Sequence, residues 1–263
     1  DCNNCTNLEY IPKEFKNLTV LICKNCILLT YLPDIFSDLQ QLDCTNCPLL
    51  EYIPKKFSNI THLVCVDCPN ITSIPKVFTK LESIECSNCP LIKDISTIFT
   101  RLVYLDCSSC PLIKNIPIEF NKLKSLKCSN CPLIEFIPEE FIKLRELICS
   151  NCPLLEEIPD TFEHLKKINC TDCPLITCLP ETYIDKQKNT SLPGCHVDIY
   201  QNKIKMLNQL SHDKNDELEY KDWNLNYEYN HSIGNEIEYD DDEKKEMDEE
   251  KEIYLKSLGD NEY

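Results

Sequence analysis

The chain has 263 residues, a formal net charge of -17, twenty cysteines and only three glycines. So few glycines exclude a glycine-rich phosphate loop, and the acidic balance argues against nucleic-acid binding through a basic surface. No run of about 18 apolar residues occurs, which argues against a membrane-spanning helix.

Reading from the start, Asp1 falls inside a repeating pattern, so part of a further unit is expected upstream. Cys-x-x-Cys then opens at Cys2, Cys23, Cys44, Cys65, Cys86, Cys107, Cys128, Cys149 and Cys170, always 21 residues apart. A fixed period of this length is the signature of a solenoid, in which each unit buries its apolar face only by stacking on its neighbours. One unit runs Leu39, Leu42, Cys44, Cys47, Leu49, Leu50, Ile53, Pro54 and Phe57, and the next restarts at Ile60. Leu42 and Cys44 stand two apart, so an extended strand turns both inward and turns Gln41, Asp43 and Thr45 outward. Pro48 lacks the N–H a strand ladder needs and ends the strand in a turn. Pro54 holds the return segment extended or turned, and Phe57 folds back into the core.

This frame resembles the leucine-rich repeat family, whose unit is Leu-x-x-Leu-x-Leu-x-x-(Asn or Cys)-x-Leu. Cys44 takes the third apolar position and Cys47 the Asn-or-Cys position, and the likeness covers residues 1 to about 184. It implies an α/β-type solenoid, an arc with short parallel strands on a concave face and irregular, extended or 3-10 segments on a convex face. The chain holds no alanine and only two arginines, Arg101 and Arg145. That bias suggests AT-rich coding, and the resemblance implies a cysteine-rich repeat protein of the kind encoded by amoebal giant viruses.

After Pro180 the frame fails. Residues 185–235 read as a C-terminal cap, with a helix through Val197, Tyr200, Ile204 and Leu207 and a strand through Trp223, Leu225, Tyr227 and Tyr229. Residues 236–263 read as an acidic, solvated tail. Residues 195–263 hold eight Lys against twenty Asp plus Glu, leaving a charge of -5 on the rest.

Repeated Cys-x-x-Cys is ordinarily a zinc or redox signal. Here each pair sits in a core-facing frame, where a thiol packs as a small hydrophobe with a weak donor, and packed thiols are the favoured reading over disulfides or metal. Reduced thiols point to an intracellular, cytoplasmic setting. Cys195 and His196 are adjacent, but a nucleophile and its base must meet in space, which neighbours in a strand or helix generally do not. No catalytic, cofactor-binding or metal-binding set emerges, and no cofactor is expected.

What remains is the outward face of the strands. Parallel columns there place Asp43, Glu85, Tyr104 and Asp106 together, with His62 and Val64 beside them, as a candidate partner-binding patch. The resemblance implies a non-catalytic module binding a protein, here one presenting basic groups, with neither nucleic acid nor membrane as partner. The alternative is the substrate-recognition part of a ubiquitin ligase or other enzyme whose catalytic or adaptor domain lies upstream.

Overall fold

The computed structural model describes residues 1–15, 17–181 and 183. The expected helix and strand of the cap region, the Cys195–His196 pair and the acidic tail lie outside them.

Eight three-residue strands form one parallel sheet in chain order: β1 Val20–Ile22, β2 Gln41–Asp43, β3 His62–Val64, β4 Ser83–Glu85, β5 Tyr104–Asp106, β6 Ser125–Lys127, β7 Glu146–Ile148 and β8 Lys167–Asn169. Every pairing is offset by one repeat, so Leu42 faces Leu21 on one side and Leu63 on the other. The central residue of each strand is buried and the first is half-exposed, because a two-residue period sends neighbours to opposite faces. The unit before β1 joins the same ladder, with Cys2 N–H donating to Ile22 O at 2.9 Å.

The α/β-type expectation is overturned: no helix, α or 3-10, joins consecutive strands, and the solenoid is all-β. Stacking explains this. Strands repeat about every 4.8 Å, whereas packed helices need about 8–10 Å between axes. Helices on the return side would force that side to splay, while turned and extended segments keep the strand spacing. Tyr10 and Tyr31 bridge in parallel on that side, and Glu156 N–H reaches Glu135 O at 3.1 Å. Tight turns close on Pro54 and Phe57, through Phe57 N–H to Pro54 O at 3.2 Å and Ile60 N–H to Phe57 O at 3.1 Å.

Columns of identical side chains fill the interior. Phe36, Phe57, Phe78, Phe99, Phe120, Phe141 and Phe162 are fully buried, and the first two rings stack at 6.0 Å between centroids. The apolar pair after Pro48 divides: Leu50 is wholly buried, whereas Leu49 is 42% exposed. Leu28, Leu91, Leu112, Leu154 and Leu175 repeat the exposed position. Leu49 therefore does not join the core that the linear frame placed it in.

Between the two cysteines of each pair the chain turns through the left-handed region. Asn4, Asn25, Asn46, Asp67, Asn88, Ser109, Asn130, Asn151 and Asp172 all have φ between 55° and 60°. Asn and Asp tolerate this conformation better than other residues with a Cβ. Their side chains form a second ladder outside the sheet, as in Asn46 Nδ2 to Asn25 Oδ1 at 2.8 Å and Asn151 Nδ2 to Asn130 Oδ1 at 2.8 Å. Ser109 is the weak rung, accepting from Asn130 Nδ2 at 3.3 Å. Ser109→Asn should stabilise the fold by about 1 kcal/mol, relieving left-handed strain and restoring an amide contact. A higher urea midpoint with unchanged slope would show it, and an unchanged midpoint would contradict the ladder's role.

Candidate functional site

The cysteine pairs were the first candidates for chemistry. In every described pair after the first, the second thiol donates to the carbonyl of the first cysteine in the preceding unit: Cys26 to Cys2, Cys47 to Cys23, and onward to Cys173 with Cys149, at 3.0–3.2 Å. From Cys23 to Cys149 these carbonyls receive no backbone N–H among the described residues. The thiol is thus the partner that a buried carbonyl requires. The first thiols, such as Cys44, Cys65, Cys86 and Cys107, are pushed well above the ordinary thiol range by the neighbouring second-column sulfur and by burial. A protonated, enclosed thiol is a poor nucleophile and a poor metal ligand. Among the described residues, no group of three or more His, Cys, Asp or Glu side chains is arranged to hold a metal ion. Fifteen of the described thiols are both free and buried, and Cys170 is disulfide-bonded.

The strand face carries the other candidates. The register sets Asp43, Val64, Glu85, Asp106 and Lys127 in one column, each one strand from the next. His62, Ser83, Tyr104 and Ser125 form the neighbouring column. All six sequence-predicted residues therefore share one continuous patch on β2 to β5.

Their environments differ. Asp43 is buried, and its carboxylate takes Lys24 Nζ at 2.8 Å, Thr45 Oγ1 at 2.8 Å and Thr45 N–H at 3.1 Å. Asp106 accepts Ser108 N–H at 3.0 Å. Neither Glu85 nor Asp106 forms an ion pair with a described cation. Burial, and then the Asp106 charge, hold the Glu85 carboxyl above its usual range. Two carboxylates one strand apart, about 5 Å, repel by about 1–3 kcal/mol for an effective dielectric between 80 and 20. Tyr104 is raised by burial and by Glu85 and Asp106, which keeps its hydroxyl protonated as a donor. Lys127 Nζ lies 5.3 Å from the centroid of the Tyr104 ring. His62 is lowered by burial, and its Nδ1 lies 2.9 Å from Thr61 Oγ1.

Several residues of this face were not among the sequence candidates. Gln41 Oε1 is buried without a hydrogen-bond partner. Lys24 and Lys127 border the acidic column, and Glu146 joins Lys167 at 2.9 Å and Ser125 Oγ at 2.7 Å. The signal for Lys24 was present, since its column lies beside Asp43 once the 21-residue offset is applied to long side chains.

Two outcomes follow. An aromatic disulfide reagent should modify Cys5, Cys178 and half-exposed Cys2 in native protein and reach the fifteen buried thiols only on unfolding. Fast native reaction of all would contradict the thiol ladder. Glu85→Gln should raise the melting temperature at neutral pH. A carboxyl whose folded pKa is raised stabilises fully below its unfolded value and loses that contribution as pH rises through the folded value. The gain should therefore shrink to nothing as pH falls below about 4.5, and a gain independent of pH would refute the assigned environment.

The Leucine Rich Repeat family matches at residues 101–123, 122–144 and 143–165, three consecutive units of the solenoid. No curated protein matches the chain. Among solved structures, the functional domain of InlJ from Listeria monocytogenes, which includes a cysteine ladder, is 21% identical with a TM-score of 0.42, over 62% of this chain and 50% of that one. The leucine-rich repeat domain of the type III effector XopL is 18% identical with a TM-score of 0.47, over 68% and 75% of the two chains. The Arabidopsis receptor kinase HAESA, in complex with a peptide hormone and a co-receptor, is 16% identical with a TM-score of 0.41, over 59% and 34%. The chain thus spans half the length of the first of these and about a third of the last. Three matched units within one uninterrupted parallel register give the described residues the fold of a leucine-rich repeat solenoid with paired cysteines.

Proposed function

We propose that the strand face is a non-catalytic recognition surface for a protein partner that presents lysine or arginine. The observation that carries this reading is the pair Glu85 and Asp106, adjacent by register, half-buried and without an ion-pair partner among described cations. A cation placed between them relieves their mutual repulsion and gains two charge-assisted hydrogen bonds. Tyr104 supplies an aromatic face beside the pair, one column over by register. Asp43, already held by Lys24, contributes shape more than attraction.

The similar solved structures include receptors in complex with peptide hormones, which supports peptide or protein recognition as the class of function. The fifteen free, buried thiols support an intracellular setting, against the one disulfide at Cys170, and the alanine-free composition supports an AT-rich viral source; the full genomic reading frame would test both.

The test uses the full chain and a labelled dodecapeptide alternating arginine and serine, at low salt where rim charges act most strongly. Asp106→Lys with Tyr104→Ala should weaken binding at least tenfold. Neutralising the acidic run by D240N/D241N/D242N should weaken it less. The reverse ranking, with both variants folded by thiol protection, would move recognition away from the strand face.

A further inference from the structure

We infer that one flank of the solenoid, separate from the strand face, binds an extended acidic polypeptide segment of a partner protein. Although the chain is strongly acidic, its cations are not scattered. Lys80, Arg101, Lys122 and Lys143 occupy the same position in four consecutive units, and all four are exposed. Two residues further on, Lys124, Arg145 and Lys166 occupy the same position in three consecutive units. The backbone sets this second column side by side, with Arg145 N–H on Lys124 O at 2.7 Å and Lys166 N–H on Arg145 O at 2.8 Å. Between the columns run Leu123, Leu144 and Leu165, all buried. Lys122 stands in the turn closed by Leu123 N–H on Phe120 O at 2.9 Å, and Lys124 in the bend that leads into β6, so the two basic columns run parallel on either side of the buried leucines.

Both arginines of the chain stand on this flank. Arg101, Lys122, Lys143 and Arg145 form no ion pair with a described carboxylate, and Lys80 donates only to Asn59 Oδ1 at 2.7 Å. Seven cations in two columns, about 4.8 Å apart from unit to unit, form a track for a polyanion lying along the stack. Acids bound the track: Glu82 begins the second column and Glu163 lies beside its end. Arginine on an exposed rigid frame favours a planar two-oxygen acceptor, which carboxylate and phosphate share. The neighbouring positions decide between them. Thr79, Thr100, Asn121 and Ile142 flank the first column and Val103 lies in the second. Of these and the next residue of the first column, His164, only His164 has an aromatic ring, which falls short of the row of stacking faces that single-stranded nucleic acid uses. The acidic peptide is therefore the occupant that this surface fits.

The inference is independent of the strand-face reading. Its test is fluorescence anisotropy with the full chain and a labelled peptide of twelve glutamates at low salt. We expect saturable binding that weakens at least tenfold in R101E/K122E/K143E, weakens less in R101A/K122A/K143A, and persists in Asp106→Lys. Equal binding by the charge-reversed chain, with its buried thiols still protected, would overturn the proposal, as would absence of saturable binding. Tighter binding of a twelve-nucleotide oligothymidylate than of the peptide would assign the flank to nucleic acid and overturn it too. Binding that arises only after D240N/D241N/D242N would show the chain's own acidic run to be the occupant, which also contradicts a partner in trans.

Discussion

A weak hydrogen bond repeated at every unit governs this solenoid. From Cys23 to Cys149, the carbonyl of the first cysteine in a pair receives no backbone N–H among the described residues, and the second thiol of the next unit closes the gap. A buried acceptor without a partner costs about 1–3 kcal/mol, so each unit must deliver a donor at the same height as the last. That requirement holds the 21-residue period rigid. It accounts for a family frame that accepts Asn or Cys here, since either side chain can donate. It also sets the environment of the first thiols, which the neighbouring second-column sulfur and burial push well above the ordinary thiol range and so keep protonated.

From this constraint the rest follows in order. The donor must project inward three residues after the strand-side cysteine, so the chain reverses through a left-handed residue, and Asn or Asp fills that place in all but one unit. The reversal sets the apolar alternation out of step, which turns Leu50 in and Leu49 out. The return side keeps the spacing of the strands, which leaves no room for helices. Rigid columns result on every surface. Two substitutions a repeat apart therefore always meet, and the chain can place Glu85 against Asp106 on one face and Arg145 against Lys124 on a flank with no change to its frame.

Much of this was legible in the residues. The register, the strand positions, the inward Leu42 and Cys44, the Phe57 column and the neighbourhood of Asp43, Glu85, Tyr104 and Asp106 all follow from the period and a two-residue alternation. Four features did not follow, for distinct reasons. Periodicity does not report the spacing of return segments, so the helix-bearing class was not separable from the all-β one. The asparagines between the cysteines read as polar filler, although their preference for positive φ was a usable signal. Net charge averages over the chain, so -17 concealed a basic flank that emerges only when lysines and arginines are aligned by unit. The pairing of Asp43 with Lys24 required side-chain length as well as register.

The account rests most heavily on the two cysteine columns having different duties, one filling space and the other donating to a carbonyl. Equilibrium urea unfolding of Cys107→Val and Cys110→Val separates them. Valine at 107 keeps an apolar side chain in a buried strand-end position, while valine at 110 leaves the Cys86 carbonyl without its donor. The account predicts that Cys110→Val loses about 1–3 kcal/mol more than Cys107→Val. Equal losses, or a larger loss at 107, would contradict it.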